Sequence, residues 1–116
     1  ALGCAGKAGD QVMEALLKAL KDSKMNVRRT AAEALGRAGK AGDRVIEALL
    51  KALGDAEEYV RSSASKALGR LGKTEERASE ALFKALEDSD PNVRSSAAEA
   101  LGRLGKSECR VIETLL

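Results

Sequence analysis

Histidine and tryptophan are absent from this 116-residue chain, aromatic residues make up 2% of it, and it holds one proline and two cysteines. Each scarcity excludes something. Hydrophobic residues still reach 44%, so a core must be built from Ala, Leu, Val and Ile packed at short range, and a large pocket lined by rings is not expected. With no His, neither Cys4 nor Cys109 has the base that usually activates a nucleophile, and a helix-end Cys more often serves as a small packing residue. Catalysis is therefore not expected, and no cofactor is implied. No apolar run approaches the roughly 18 to 20 residues that span a bilayer, and the start Ala1-Leu2-Gly3-Cys4-Ala5-Gly6-Lys7 lacks a charged-then-apolar signal layout. A cytoplasmic protein without membrane contact is the expectation. An excess of one charge is also missing: 20 basic residues face 18 acidic ones for a net +2, far from the concentrated positive field of an electrostatic nucleic-acid binder.

What the chain has in abundance is self-similarity. Ala1-Leu2-Gly3 recurs as Ala34-Leu35-Gly36, Ala67-Leu68-Gly69 and Ala100-Leu101-Gly102, each time 33 residues on. Val27-Arg28, Val60-Arg61 and Val93-Arg94 keep the same step, as do Leu16-Leu17, Leu49-Leu50, Leu82-Phe83 and Leu115-Leu116. Fixed-period recurrence of this kind is the mark of a repeat array. Within each unit Val27, Ala31, Ala34, Leu35 and Ala38 line one face of a 3.6-residue helix (helix A), and Val45, Ile46, Leu49, Leu50 and Leu53 line another (helix B). Gly39, Gly72 and Gly105 fit left-handed helix C-termini, and Asp43 or Glu75 then opens the next helix where a negative charge suits the dipole. Asp88-Ser89-Asp90-Pro91 reads as stop, cap and proline in the first helical turn. Connections of a few residues make neighbouring helices antiparallel. Alanines at 31, 34, 64, 67, 97 and 100 let helix axes approach closely, and each unit needs its neighbours to cover its apolar face.

A 33-residue period alone is also that of ankyrin repeats, but no Thr-Pro-Leu-His-like start occurs, and the large aromatics of tetratricopeptide repeats are missing. The run Asp88-Ser89-Asp90-Pro91-Asn92-Val93-Arg94-Ser95-Ser96-Ala97-Ala98-Glu99-Ala100-Leu101-Gly102-Arg103-Leu104-Gly105 instead resembles the short HEAT-like repeats, including those named after phycobiliprotein lyases, and the resemblance spans the chain. It implies an all-α, right-handed α-α superhelix of antiparallel helix pairs. We read residues 1–116 as a single domain of about three and a half repeats, with phases starting at 1, 34, 67 and 100. The resemblance further implies a structural ladder of an Asp after helix B and an Arg early in helix A, here Asp22 with Arg28, Asp55 with Arg61 and Asp88 with Arg94. Cys4 and Cys109 lie three units apart, beyond the roughly 7 Å Cα reach of a disulfide, and read as free thiols of a reducing compartment.

Chemistry is hard to place on this frame. HEAT-like di-iron hydroxylases are similar in fold but need His-Glu ligand sets, so a chain without His holds no such metal site. The Gly36-Arg37-Ala38-Gly39 type of segment superficially suggests a phosphate loop, yet it recurs in every unit with no preceding strand, as helix ends do. Glu14, Glu47, Glu80 and Glu113 recur at one phase and read as a solvated helix face. Recognition is sought where the units differ. On helix A the triplets Asn26/Tyr59/Asn92, Arg29/Ser62/Ser95, Thr30/Ser63/Ser96 and Glu33/Lys66/Glu99 change while their apolar neighbours hold, and they fall on the side away from Val27, Ala31 and Leu35. In similar arrays helix A lines the concave face, which makes these twelve residues the candidate partner-binding set, with Tyr59 as anchor.

The expected function is thus a non-catalytic protein–protein interaction scaffold presenting a concave helical surface to a protein partner. Nucleic-acid-backbone binding is the alternative, through a basic stripe of Arg37, Arg70 and Arg103 joined by Arg44, Arg77 and Arg110, but Glu33 and Glu99 sit one turn away and aromatics for stacking are missing. A regulatory module of a larger enzyme stands third. Neither end resembles a polar capping repeat, so the chain is expected to be a segment of a longer array or to self-associate through uncapped ends.

Overall fold

In the computed structural model, residues 7–38, 42–71 and 76–107 are described. They form six helices: α1 (Lys7–Ala19), α2 (Met25–Ala38), α3 (Asp43–Ala52), α4 (Glu58–Leu71), α5 (Glu76–Ala85) and α6 (Pro91–Ser107). No strand occurs among the described residues. Helices α2, α4 and α6 correspond to helix A of the sequence pattern, and α1, α3 and α5 to helix B. The A helices pack side by side, α2 on α4 and α4 on α6, while α1, α3 and α5 back onto them as a second layer. The result is an all-α solenoid of helix pairs.

The core runs between the two layers. Leu35, Ile46, Leu49, Val60, Leu68, Leu82, Val93, Leu101 and Leu104 are fully buried, and Met13, Leu16, Leu17 and Phe83 pack against them from partly buried positions. Short side chains at the A–A contacts let the helices close up: Ala31, Ala64, Ala67, Ala97 and Ala100 are buried, and Ala34 is half-buried. Val27 departs from its expected inward position. It is 39% exposed, whereas its counterparts Val60 and Val93 are covered. Among the described residues, α4 lies against α2 and α6 against α4, but no A helix precedes α2.

Capping follows the sequence in the turn before α6. Asp90 Oδ1 accepts the Asn92 amide at 2.7 Å, its carbonyl accepts the amides of Val93 and Arg94, and Pro91 takes the first helical position, where its missing N–H costs nothing. Asp43 opens α3 after an extended Gly42. Of the glycines expected to end helices, Gly39 and Gly72 lie outside the described residues, as do Cys4, Cys109 and Glu75. Gly105 corrects the expectation: it is buried inside α6, which runs on to Ser107, and the buried Leu104 beside it keeps that turn packed on the core.

Candidate functional site

Glycine sets the geometry of the A-helix layer. Gly36 lies in the last turn of α2, and a Cβ there would come within 2.8 Å of the Ala67 Cα in α4; at Gly69 of α4 it would come within 2.6 Å of the Ala100 Cα in α6. A Cβ at either position would overlap the backbone of the next helix, so glycine is what allows neighbouring A helices to approach this closely. The side chains flanking the contacts are thereby gathered into one groove.

That groove, about 300 Å³ and open to solvent, is lined by Arg29 and Glu33 of α2, by Tyr59, Ser62, Ser63 and Lys66 of α4, and by Asn92, Ser95, Ser96 and Glu99 of α6. It therefore brings together ten of the twelve candidate residues. Asn26 and Thr30 lie outside this lining and are exposed, with the Thr30 hydroxyl donating to the Asn26 carbonyl at 2.8 Å. Tyr59 is 49% exposed. Ser63 and Ser96 do not point outward as their place on the helix, away from the Val27, Ala31 and Leu35 face, suggested; both are buried. The A–A packing covers that flank, where a hydroxyl is small enough to fit. Ser62 and Ser96 share a hydrogen bond across α4 and α6 (Oγ···Oγ 2.6 Å), and Ser63 Oγ donates to Glu33 Oε2 of α2 at 3.5 Å. Lys66 and Glu99 also line a smaller continuation of the groove, about 60 Å³, with Arg70, Ala100 and Arg103.

The pairs that the resemblance implies meet through the Asp backbone carbonyls, and the carboxylates are engaged by a different Arg. Arg28 donates from Nε and Nη2 to the Asp55 carboxylate at 2.8 and 3.1 Å, and Arg61 does the same to Asp88 at 2.9 and 3.0 Å. Each Arg thus reaches forward to the Asp of the next unit. Toward Asp22, Asp55 and Asp88 respectively, Arg28, Arg61 and Arg94 donate from Nη1 to the backbone carbonyl, not to the carboxylate. The carboxylates are also held by the chain itself, since Oδ1 of Asp22, Asp55 and Asp88 accepts the amide two residues on. Partial burial pushes Asp55 up, but the Arg28 hydrogen bonds, the Glu57 amide and the charges of Arg28 and Arg61 outweigh it and hold the carboxyl below its ordinary range. Asp88 is lowered chiefly by its hydrogen bonds from Arg61, against partial burial.

The basic stripe is shorter than expected. Arg37, Arg70 and Arg103 are exposed on the A layer. Arg44 and Arg77 belong to the B layer, where Arg44 is bonded to Glu14 and Arg77 donates to Glu47 Oε2 at 2.9 Å. Both cations are already matched by carboxylates, and both carboxylates, read from the sequence as a solvated face, hold an inter-unit ion pair while staying largely exposed. Arg110 and Glu113 lie outside the described residues. A second groove, which nothing in the repeat pattern signalled, opens between α1 and α3, with Leu17, Leu20 and Ala48 in its lining and Lys18, Lys21 and Lys51 around them. Among the described residues no cluster of His, Cys, Asp or Glu could hold a metal ion, and no helix is long and apolar enough to cross a membrane.

Residues 1–69 and 46–116 each match the family model described as HEAT repeats, so the two matches together cover the chain. Among solved structures, a chain in the complex of CpcE and CpcF of phycocyanin lyase from Nostoc sp. PCC7120 is similar over 90% of the present chain, with 30% identity and a TM-score of 0.75. An engineered protein from a structural genomics consortium is similar in fold over 88%, with 23% identity and a TM-score of 0.67. The chain spans 41% and 49% of those two chains. No curated protein matches it.

Proposed function

The chain belongs to the HEAT-repeat family, and from that premise we propose that it is a non-catalytic protein-interaction scaffold whose docking face is the groove across α2, α4 and α6. The observation that carries this reading is the convergence, on one open groove, of ten residues from the four helix-A phases at which the units are not all alike, over a core whose residues repeat. Constant positions build the stack, and variable ones are free to encode a partner. Tyr59 supplies a rigid, half-exposed ring of the kind that anchors interfaces. The repeating helix starts at Met25, Glu58 and Pro91 support a single domain of about three and a half 33-residue units, and two cysteines three units apart favour the reducing cytoplasm.

A second reading draws on the similarity to a chain of a phycocyanin lyase complex: the chain would then be a structural or regulatory module within a larger enzyme assembly. Both readings use the groove for protein contact. The test is a photo-crosslinking residue placed at position 59 or, as a control, at Lys84 on the B layer. Crosslinks expected from position 59 should be suppressed by excess unlabelled chain but not by excess Tyr59→Ala chain. Adducts of equal yield at both positions, or equal suppression by the two competitors, would remove the groove from the proposal.

A further inference from the structure

We infer that the groove between α4 and α6 receives a short extended segment of a partner protein, with an uncharged or aromatic side chain at its Tyr59 end and a pair of acidic residues at its Arg70 end. This rests on reading the A-helix groove as the docking face, and adds the chemistry of what docks there. The two linings share Lys66 and Glu99, so a single groove runs from Tyr59 and Asn92 at one end to Arg70 and Arg103 at the other. From residue 59 to residue 70 along α4 is about 16 Å at 1.5 Å per residue, the length of about five residues of extended chain.

The two ends of this groove differ in charge. Around Tyr59 the lining from α4 and α6 is hydroxyl and amide, Ser62, Asn92 and Ser95, and α2 adds one charge of each sign, Arg29 and Glu33. Around Ala100 it holds Lys66, Arg70 and Arg103 against the single carboxylate of Glu99. Gly69 sits among these cations without a side chain, and a Cβ there would fall 2.6 Å from the Ala100 Cα, so α4 and α6 run close together at this end of the groove. Among the described residues, Lys66, Arg70 and Arg103 have no hydrogen-bond or ion-pair partner. In that respect they differ from Arg28, Arg44, Arg61 and Arg77, each of which holds a carboxylate. Two arginines with free planar forks are suited to bidentate carboxylate capture. The α1–α3 groove is also basic, but its unpaired cations are lysines, which are depleted at interface cores, and its Arg44 is already bound to Glu14. A nucleic-acid backbone fits less well, because Glu99 stands inside the cationic end and Glu33 inside the same groove.

The experiment is selection of peptides from an unbiased display library on the whole chain, followed by titration of the enriched peptides by fluorescence anisotropy. The expected result is enrichment of paired Asp/Glu a few residues from an apolar or aromatic position. Binding should weaken at least ~10-fold in Lys66→Glu and in Arg70→Glu, fall also in Tyr59→Ala, and stay unchanged in Lys51→Glu. Circular dichroism on each variant checks that the helices persist. Selected peptides that depend on Tyr59 but show no acidic enrichment would overturn this inference while leaving the scaffold reading intact. Peptides indifferent to Tyr59, Lys66 and Arg70 would remove both. A loss confined to Lys51→Glu would move the site to the α1–α3 groove, and tighter binding of a short DNA duplex than of any peptide would assign the cations to phosphate; either result overturns the inference.

Discussion

Gly36, Gly69 and Gly102 occupy one phase of the repeat, yet their surroundings differ: a Cβ at Gly36 or Gly69 would collide with the backbone of the next helix, whereas at Gly102 nothing lies within 4 Å. Glycine in a helix costs roughly 1 kcal/mol relative to alanine, so in open space Gly102→Ala should stabilise the protein by about 0.5–1 kcal/mol. Gly36→Ala and Gly69→Ala must push two helices apart, and overpacking of this kind should cost about 1–3 kcal/mol despite the propensity gain. Urea melts of the three variants give the comparison, and a shared sign would contradict the close approach. The sequence announced the glycines but not this role, because a glycine near a helix end is ordinarily explained by termination. Ser63 and Ser96 show the same gap between letter and place. Their side of helix A suggested solvent, whereas the geometry puts them in a helix–helix seam where a small polar side chain can pack and still find a partner.

At the scale of elements, helix identity and order were legible because apolar spacing and turn chemistry agree: Asp90 and Pro91 open α6, and Asp43 opens α3. The ladder was legible in its residues but not in its pairing, for a reason of arithmetic. From Asp22 to Arg28 is 6 positions and from Arg28 to Asp55 is 27, which together make up the 33-residue period. A strict repeat preserves both separations equally, so spacing alone cannot say whether an Arg serves the Asp behind it or the one ahead. Geometry answers that Arg28 and Arg61 do both, with the fork on the carboxylate ahead and Nη1 on the carbonyl behind. The pKa directions convert this into a pH dependence. Asp55 and Asp88 are held below their unfolded values, so their contribution is fully present above the ordinary carboxylate pKa of about 4 and is lost as pH falls through the lower folded values. Thermal midpoints should therefore drop on acidification below about pH 4, and less steeply in Asp88→Ala. That variant also leaves the Arg61 fork and the Asp90 amide without their acceptor, at a cost of about 1–3 kcal/mol at neutral pH. Arg44→Ala breaks only an exposed pair and should leave the midpoint nearly unmoved. An acid limb as steep in Asp88→Ala as in the parent chain would show that the ladder does not carry it.

The molecule as a whole is a line of neighbours, and its stability should be distributed as such. Helix α4 is packed by α2 on one side and α6 on the other, with α3 and α5 behind it, whereas α1 makes its main contact with α2. In a nearest-neighbour array each interface adds to the stability of the units it joins, so the element with the most interfaces opens last. Amide exchange should accordingly be slowest in α4, around Val60, Ala64 and Leu68, and fastest in α1. Leu68 is fully buried at the junction of the two layers, and Leu68→Ala should cost about 2–5 kcal/mol. Because the lost contacts couple both neighbours, the substitution should also accelerate exchange in α2 and α6, not in α4 alone. Native-state hydrogen exchange read helix by helix on the parent chain and on Leu68→Ala tests this. Uniform protection across the six helices, or an effect of Leu68→Ala confined to its own helix, would contradict the nearest-neighbour account. The same gradient bears on the groove, since Tyr59, Lys66 and Arg70 stand on α4, the helix expected to open last, and slow exchange there would mean that a partner meets a surface already formed.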